Sequence, residues 1–191
     1  MTRARAGNQE DLEELEAQIL RCFEDGQAAV SDEAETAVTT LMDALTRGVV
    51  RSARRVVDEW QAVEWVKTGI LLAFRIGRVR EFPAAPAPFF DKDTLPLRET
   101  RGVEENIRLV PGGTSVRSGA FLAKDVIIMP PAFVNVGAYV GQGTMIDSHA
   151  LVGSCAQVGQ RVHLSAGAQL GGVLEPVGLR PVIVEDDVMI G

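Results

Sequence analysis

Histidine and cysteine are scarce, with two of each in 191 residues. Cys22 and Cys155 stand far apart and in no metal-ligand spacing, so free thiols in a reducing cytoplasm are expected and no metal site is. A catalytic zinc needs about three histidines or equivalent ligands around an open position. His149 and His163 are too few, and their separation puts them in no common eighteen-residue column. Positive charge is also short, with 19 Lys and Arg against 26 Asp and Glu, and acid gathers in "EDLEELEAQ". A general nucleic-acid binder should be basic, so that class is excluded. The local stretch "RGVVRSARR" reads first as a solvated face, with an anionic substrate as the alternative. No apolar run approaches the roughly 18 residues of a membrane span. "MTRARAGNQEDLEE" lacks the apolar core of a signal peptide. A cytoplasmic protein without membrane or nucleic-acid partners is expected.

Two halves of the chain carry different periods. Residues 1–86 read as a small helical domain. Leu12, Leu15, Ile19 and Phe23 share one helical face. In "SDEAETAVTTLMDALTRG", Asp32 with Glu35 predicts an N-terminal capping box, and Gly48 a stop. Ala34, Val38, Leu41 and Leu45 form the apolar stripe between them. Val63, Val66, Ile70 and Phe74 predict a third helix, while "VVRSARRVVDEWQAVEW" fits two short strands or a strand and a turn. Prolines in "REFPAAPAPFFDKDTLPLRE" break the pattern and predict an extended linker over 87–115.

From Val116 a six-residue period takes over. Positions 116, 122, 128, 134, 140, 146, 152, 158, 164 and 170 are all aliphatic, and the residue four places after each is mostly small. Six matches neither the helix nor the strand repeat. It matches hexapeptide β-helices, in which each hexapeptide makes one strand and one corner and three make a triangular coil. The aliphatic fills the prism and the small residue fits the corner. Solenoids of this type wind left-handed. The fold class is therefore α+β, a helical domain followed by a left-handed β-helix over 116–191. After Leu170 the frame resumes at Val184 and Ile190, fourteen residues on where twelve would keep register. That predicts a two-residue insertion in "EPVGLRP", either a loop on a binding face or a surface bulge.

A β-helix does not dictate function. Three classes compete: CoA-dependent acyl transfer, a carbonic-anhydrase-like zinc site, and a non-catalytic scaffold. The histidine count disfavours zinc. Acyl transfer to an amine needs a held thioester, an amine that sheds its proton and donors for the oxyanion, with no obligatory enzyme nucleophile. His149, close to Asp147 in "GTMIDSHALVG", is the candidate base if a histidine serves; His163 reads more readily as polar filler.

The segment "VRSGAFLAKDVIIMPPAFVNVGAYVGQGTMIDSHALVGSCAQVGQRVHLSAGAQLGGVLEP" resembles the tetrahydrodipicolinate N-succinyltransferase family of the diaminopimelate route to lysine. "GSCAQVG", "VHLS" and "GGVLEP" carry the resemblance, which spans about residues 100–191. "WVKTGILLAFRIG" extends it more loosely. The resemblance implies transfer of succinyl from succinyl-CoA to the amine of ring-opened tetrahydrodipicolinate, in clefts between the prisms of a homotrimer. It implies succinyl-CoA as co-substrate with no bound cofactor. By the same resemblance Arg108 in "NIRLVP" binds substrate, suiting a dicarboxylate through its planar fork. Asp147 is implied to be the catalytic acidic residue that holds or deprotonates the acceptor amine. Eighteen-residue stacking puts Met129 and Ser165 in its column as further substrate-binding candidates. Gly167, Gly171 and Gly172 in "LSAGAQLGG" would let the pantetheine arm of CoA approach the backbone. Many family members have "DEG" before "TM" and "DTW" in place of "DSH"; this chain has "GQG" and "DSH". The family continues through further coils, with a catalytic-site glutamate in many members. The 191-residue chain is therefore expected to be C-terminally incomplete, to assemble poorly and to show little activity. Another hexapeptide acetyltransferase using His149, or a non-catalytic β-helical module, stays open.

Overall fold

The computed structural model describes residues 9–26, 31–84 and 87–191. Residues 1–8, the first part of the stretch read against a signal peptide, lie outside the described residues. Helix α1 (Gln9–Glu24) buries Leu15 and Ile19, and α2 (Asp32–Thr46) buries Ala34, Val38, Leu41 and Leu45, as their spacing requires. The cap of α2 differs from expectation. Ser31 is the N-cap, and its hydroxyl accepts from Ala34 N at 3.1 Å. Asp32 is the first helical residue, where its charge still favours the positive helix end. Gly48, at φ +71, ends the helix as read. The undecided stretch forms an antiparallel hairpin, β1 (Ala53–Val56) with β2 (Glu59–Ala62). Helix α3 (Glu64–Ile76) packs across α1 and α2 with Val66 and Ile70 fully buried. No helix among the described residues is long and apolar enough to cross a membrane.

A second hairpin straddles the expected boundary, with β3 (Val79–Phe82) in the part read as helical and β4 (Phe89–Lys92) in the segment expected to be extended. Two-residue strands follow, and they stack on three faces of a left-handed parallel prism. The first face holds β5 (Arg108–Leu109), β8 (Ile127–Ile128), β11 (Met145–Ile146), β14 (His163–Leu164) and β17 (Met189–Ile190). The second holds β6 (Ser115–Val116), β9 (Phe133–Val134), β12 (Leu151–Val152) and β15 (Gln169–Leu170). The third holds β7 (Phe121–Leu122), β10 (Tyr139–Val140), β13 (Gln157–Val158) and β16 (Ile183–Val184). From β6 to β16 the first residue points out and the second fills the prism, so the hexad aliphatics form one buried cluster, while Leu109 at the lower end stays exposed and Ile190 at the upper end is half-buried. Thr144 is the one polar residue among the small positions and is fully buried. Its hydroxyl donates to Gly159 O and accepts from Val162 N, so it costs no unpaired group.

The prism begins before Val116. Leu109 pairs with Ile128 nineteen residues on, whereas Val116 pairs with Val134 eighteen on. That single extra residue hides β5 from a strict six-residue count. The upper break is also larger than its spacing suggested. Val158 pairs with Val184 and Leu164 with Ile190, twenty-six residues apart, so the excursion is eight residues and not two. The stretch after Leu170 holds no additional strand, which is the reason. Its Leu174 leaves the prism and joins the helical core.

The helices dock on the corner between the second and third faces. Val136 and Cys155 from that corner belong to the helical core. Burial pushes the Cys155 thiol up to about 11, so it stays protonated at neutral pH. Gly137 has φ +76, and a Cβ there would stand 2.8 Å from Ile70 Cδ1 and Ser52 Oγ. The hairpin β1–β2 covers the third face. The Arg51 guanidinium stacks 3.7 Å over Tyr139, its Nε donates to buried Gln157, and Trp60 Nε1 donates to Glu185. Lys67, wholly buried on α3, donates from Nζ to Pro176 O (3.2 Å) and Leu179 O (2.7 Å), pinning the excursion. The first face is left open.

Candidate active site

Each corner of the prism needs a tight bend, and the third residue after an inward aliphatic makes it with positive φ. Gly119, Gly137 and Cys155 do so at one corner; Asp125, Gly143, Arg161 and Asp187 do so at another. At the corner between the first and second faces the bend falls on His149 and Gly167. Asp147 and Ser165 come two residues before those bends. This corner therefore carries a vertical file of polar side chains between two faces.

Asp147 stacks on Met129 below and under Ser165 above. Met129 N donates to Ile146 O and Asp147 N to Leu164 O, at 2.8 and 2.9 Å. The three residues proposed from eighteen-residue spacing thus share one column. Asp147 Oδ1 accepts from Ser148 N at 2.7 Å, an interaction that a corner aspartate makes regardless of function. Its Oδ2 remains for another partner, and the side chain is 30% exposed. Arg108 projects from β5 on the first face, in file with Ile127 and Met145. It is exposed, and no ion pair or hydrogen bond holds its side chain among the described residues. Two strand spacings, about 10 Å, separate it from the level of Asp147.

His149 is not the partner of Asp147. Its φ of +63 turns the chain onto the second face, and its N donates to Pro131 O. There it lines an open groove of about 360 Å³ with Ser115, Phe133, Leu151 and Gln169. Among the described residues no hydrogen bond or ion pair joins it to Asp147. The histidine that does approach is His163, whose Nε2 lies 3.9 Å from Asp147 Oδ2. Columns of eighteen could not reveal this neighbour. His163 is an outward strand residue, and it meets a corner residue of the coil below diagonally, sixteen positions away.

The glycines divide between two corners. Gly167, at φ +79 with open space around it, sits above His149. Gly171 and Gly172 lie past β15 at the opposite edge of the second face. Gly171 is open, while Gly172 packs on Ser154. In the basic stretch Arg51, Arg54 and Arg55 line one open groove of about 480 Å³ with Glu13, Glu16 and Trp60. Arg47 pairs with Asp43, Arg51 is stacked as above, and Arg55 meets Asp58.

Stacked hexapeptide coils under a helical cap, with an acidic residue in a corner column and an open flank, define a hexapeptide-repeat protein of the left-handed β-helix class. The family model for the tetrahydrodipicolinate N-succinyltransferase N-terminal domain matches residues 14–76. Three relatives share the name 2,3,4,5-tetrahydropyridine-2,6-dicarboxylate N-succinyltransferase. The protein of Bradyrhizobium diazoefficiens is 42% identical over 189 residues, covering 94% of this chain and 66% of the relative. That of Idiomarina loihiensis is 40% identical, with 94% and 68% covered, and that of Haemophilus ducreyi 45% identical, with 93% and 65% covered. The chain belongs to this N-succinyltransferase family. It spans about two thirds of the length of these curated relatives.

Proposed function

We propose that the protein transfers a succinyl group from succinyl-CoA to the amine of ring-opened tetrahydrodipicolinate, giving N-succinyl-2-amino-6-oxopimelate and free CoA. Family membership supplies the reaction class. The observation that carries the reading within this chain is the Met129–Asp147–Ser165 column with the unpaired Arg108 guanidinium on the adjoining face. The acceptor carries an amine near one carboxylate and a second carboxylate at its far end. Arg108 suits a carboxylate, and Asp147 suits the amine, which arrives as ammonium. A carboxylate beside an ammonium favours the charged form, so Asp147 holds the nitrogen and takes its proton only as the bond forms. The nitrogen attacks the thioester carbon, the C–N bond forms, the C–S bond breaks, and the departing thiolate gains a proton. The succinyl-CoA arm runs over the second face, where Gly167 leaves the backbone approachable. A trimer whose neighbouring prism closes the open first face, acting on cytoplasmic metabolites, completes this reading.

His149 in its groove supports one other reading, an acetyltransferase with histidine as base. Thiol release separates them, using succinyl-CoA or acetyl-CoA with tetrahydrodipicolinate or L-2-aminopimelate. Asp147→Asn is expected to lower turnover about 100-fold, with the assembly size unchanged. Arg108→Lys is expected to raise KM for the acceptor and leave that for succinyl-CoA. Loss on His149→Ala with Asp147→Asn still active establishes the second reading. No thiol release with either donor, measured on the chain extended to the length of its relatives, refutes both.

A further inference from the structure

We propose that His163 is the positioning residue for Asp147: its Nε2–H closes onto Oδ2 and fixes the carboxylate that meets the acceptor. The last clause rests on the succinyl-transfer reading; the pairing itself does not.

The geometry narrows the partner of each group to the other. Asp147 Oδ1 is engaged by Ser148 N, which leaves Oδ2 free on the side of the first face. His163 Nε2 is sealed from solvent and has no hydrogen-bond partner among the described residues, although the side chain as a whole is 41% exposed. A sealed polar nitrogen without a partner is costly, because it has given up water and gained nothing. The side chains directly below and above His163 in its file are Met145 and Met189, neither of which offers a strong acceptor. Among the described residues the one carboxylate in reach is Asp147 Oδ2, and moving the ring about 1 Å brings 3.9 Å to bonding distance. The backbone on both sides is already pinned. His163 N donates to Val188 O, and Asp147 N donates to Leu164 O. An ionised carboxylate only accepts, so the pairing requires the hydrogen on Nε2 and leaves Nδ1 toward the exposed edge of the ring. A carboxylate so tied on both oxygens has one orientation, with its remaining lone pairs turned to the groove. His149, on the far side of the corner, does not compete for it.

The test has two parts. Long-range nitrogen–proton NMR on the protein without substrates reads the tautomer of His163. The Nε2–H form is expected in the wild type, with a mixture of tautomers in Asp147→Ala. A mixed or Nδ1–H signal in the wild type overturns the pairing, whatever the protein catalyses. The second part measures thiol release for three variants. Glutamine carries an amide nitrogen close to where histidine carries Nε2, whereas asparagine is too short and leucine has no donor. His163→Asn and His163→Leu are each expected to raise acceptor KM about tenfold, with succinyl-CoA KM unchanged. His163→Gln is expected to recover most of that loss. Equal effects of Gln, Asn and Leu, or a fall in kcat alone, overturn the positioning role. A chain extended to the length of its relatives that still releases no thiol refutes the succinyl-transfer reading, and the tautomer signal still decides the pairing.

Discussion

Replacing Lys67 by methionine should loosen one segment and leave the prism intact. The ammonium is wholly buried on α3 and donates to two carbonyls of the excursion, Pro176 O and Leu179 O. Hydrogen bonds from a charged donor are worth about 1.5–3 kcal/mol each, so the gross loss is about 3–6 kcal/mol. Burial holds the amine below the ordinary lysine value, a sign that lost hydration offsets part of this gain. Methionine fills similar space and needs no hydration, which returns about 1–4 kcal/mol. The net is on the order of 2 kcal/mol, or about a thirtyfold shift in a local opening equilibrium. Amide exchange reads it directly. Val173 N, bonded to Ser154 O, and Leu179 N, bonded to Pro176 O, should exchange about thirty times faster. Asp147 N, bonded to Leu164 O inside the prism, should keep its rate. Unchanged Val173 and Leu179 would show that Leu174 and the loop's own bonds hold the segment. Equal acceleration of all three would show that the loop and the prism open as one unit.

Two further predictions test docking and charge. Gly167→Ala strains a left-handed backbone in open space and should cost about 1 kcal/mol in urea unfolding. Gly137→Ala adds collisions with Ile70, Ser52 and Cys155 and should cost a further ~1–3 kcal/mol; equal costs would mean that the helices do not seat on that corner. Glu105 is held below its ordinary 4.5 chiefly by hydrogen bonds from Arg98, whose side chain is 3% exposed. A lowered carboxylate value means that its stabilisation is complete above 4.5 and fades as pH falls through the folded value. Acid unfolding followed by circular dichroism should therefore lose steepness in that window in Glu105→Gln, and an unchanged profile would remove the pair from the acid response.

The prism was legible because its code is redundant. Each coil repeats the same inward choice, so Val116 through Leu170 announce their burial without any tertiary knowledge. Register failed where one residue broke the repeat. Leu109 pairs one position off the frame, and the excursion after Leu170 mimics a two-residue slip because eight exceeds a hexad by two. The corner column of Asp147 followed from the same repeat, since stacking is a property of spacing alone. His163 did not, because a diagonal contact depends on where side chains point, which spacing leaves undetermined. Lys67 gave no signal either. A lysine inside an apolar helical stripe reads as an exposed side chain until the carbonyls of a distant loop are seen to meet it.

The two-residue strand also governs how such a surface can change. On the open first face every coil shows the outside world a single strand side chain, with the next one up or down about 4.8 Å away. That face is thus a ruler of separate graduations, each replaceable without touching the filling of the prism behind it. A ligand laid along the axis reads the file Arg108, Ile127, Met145, His163, Met189 one mark at a time. Altering one mark changes one contact and leaves its neighbours' spacing as it was. On such a scaffold, specificity for chain length and for the position of charge can be revised graduation by graduation, while the scale itself stays fixed.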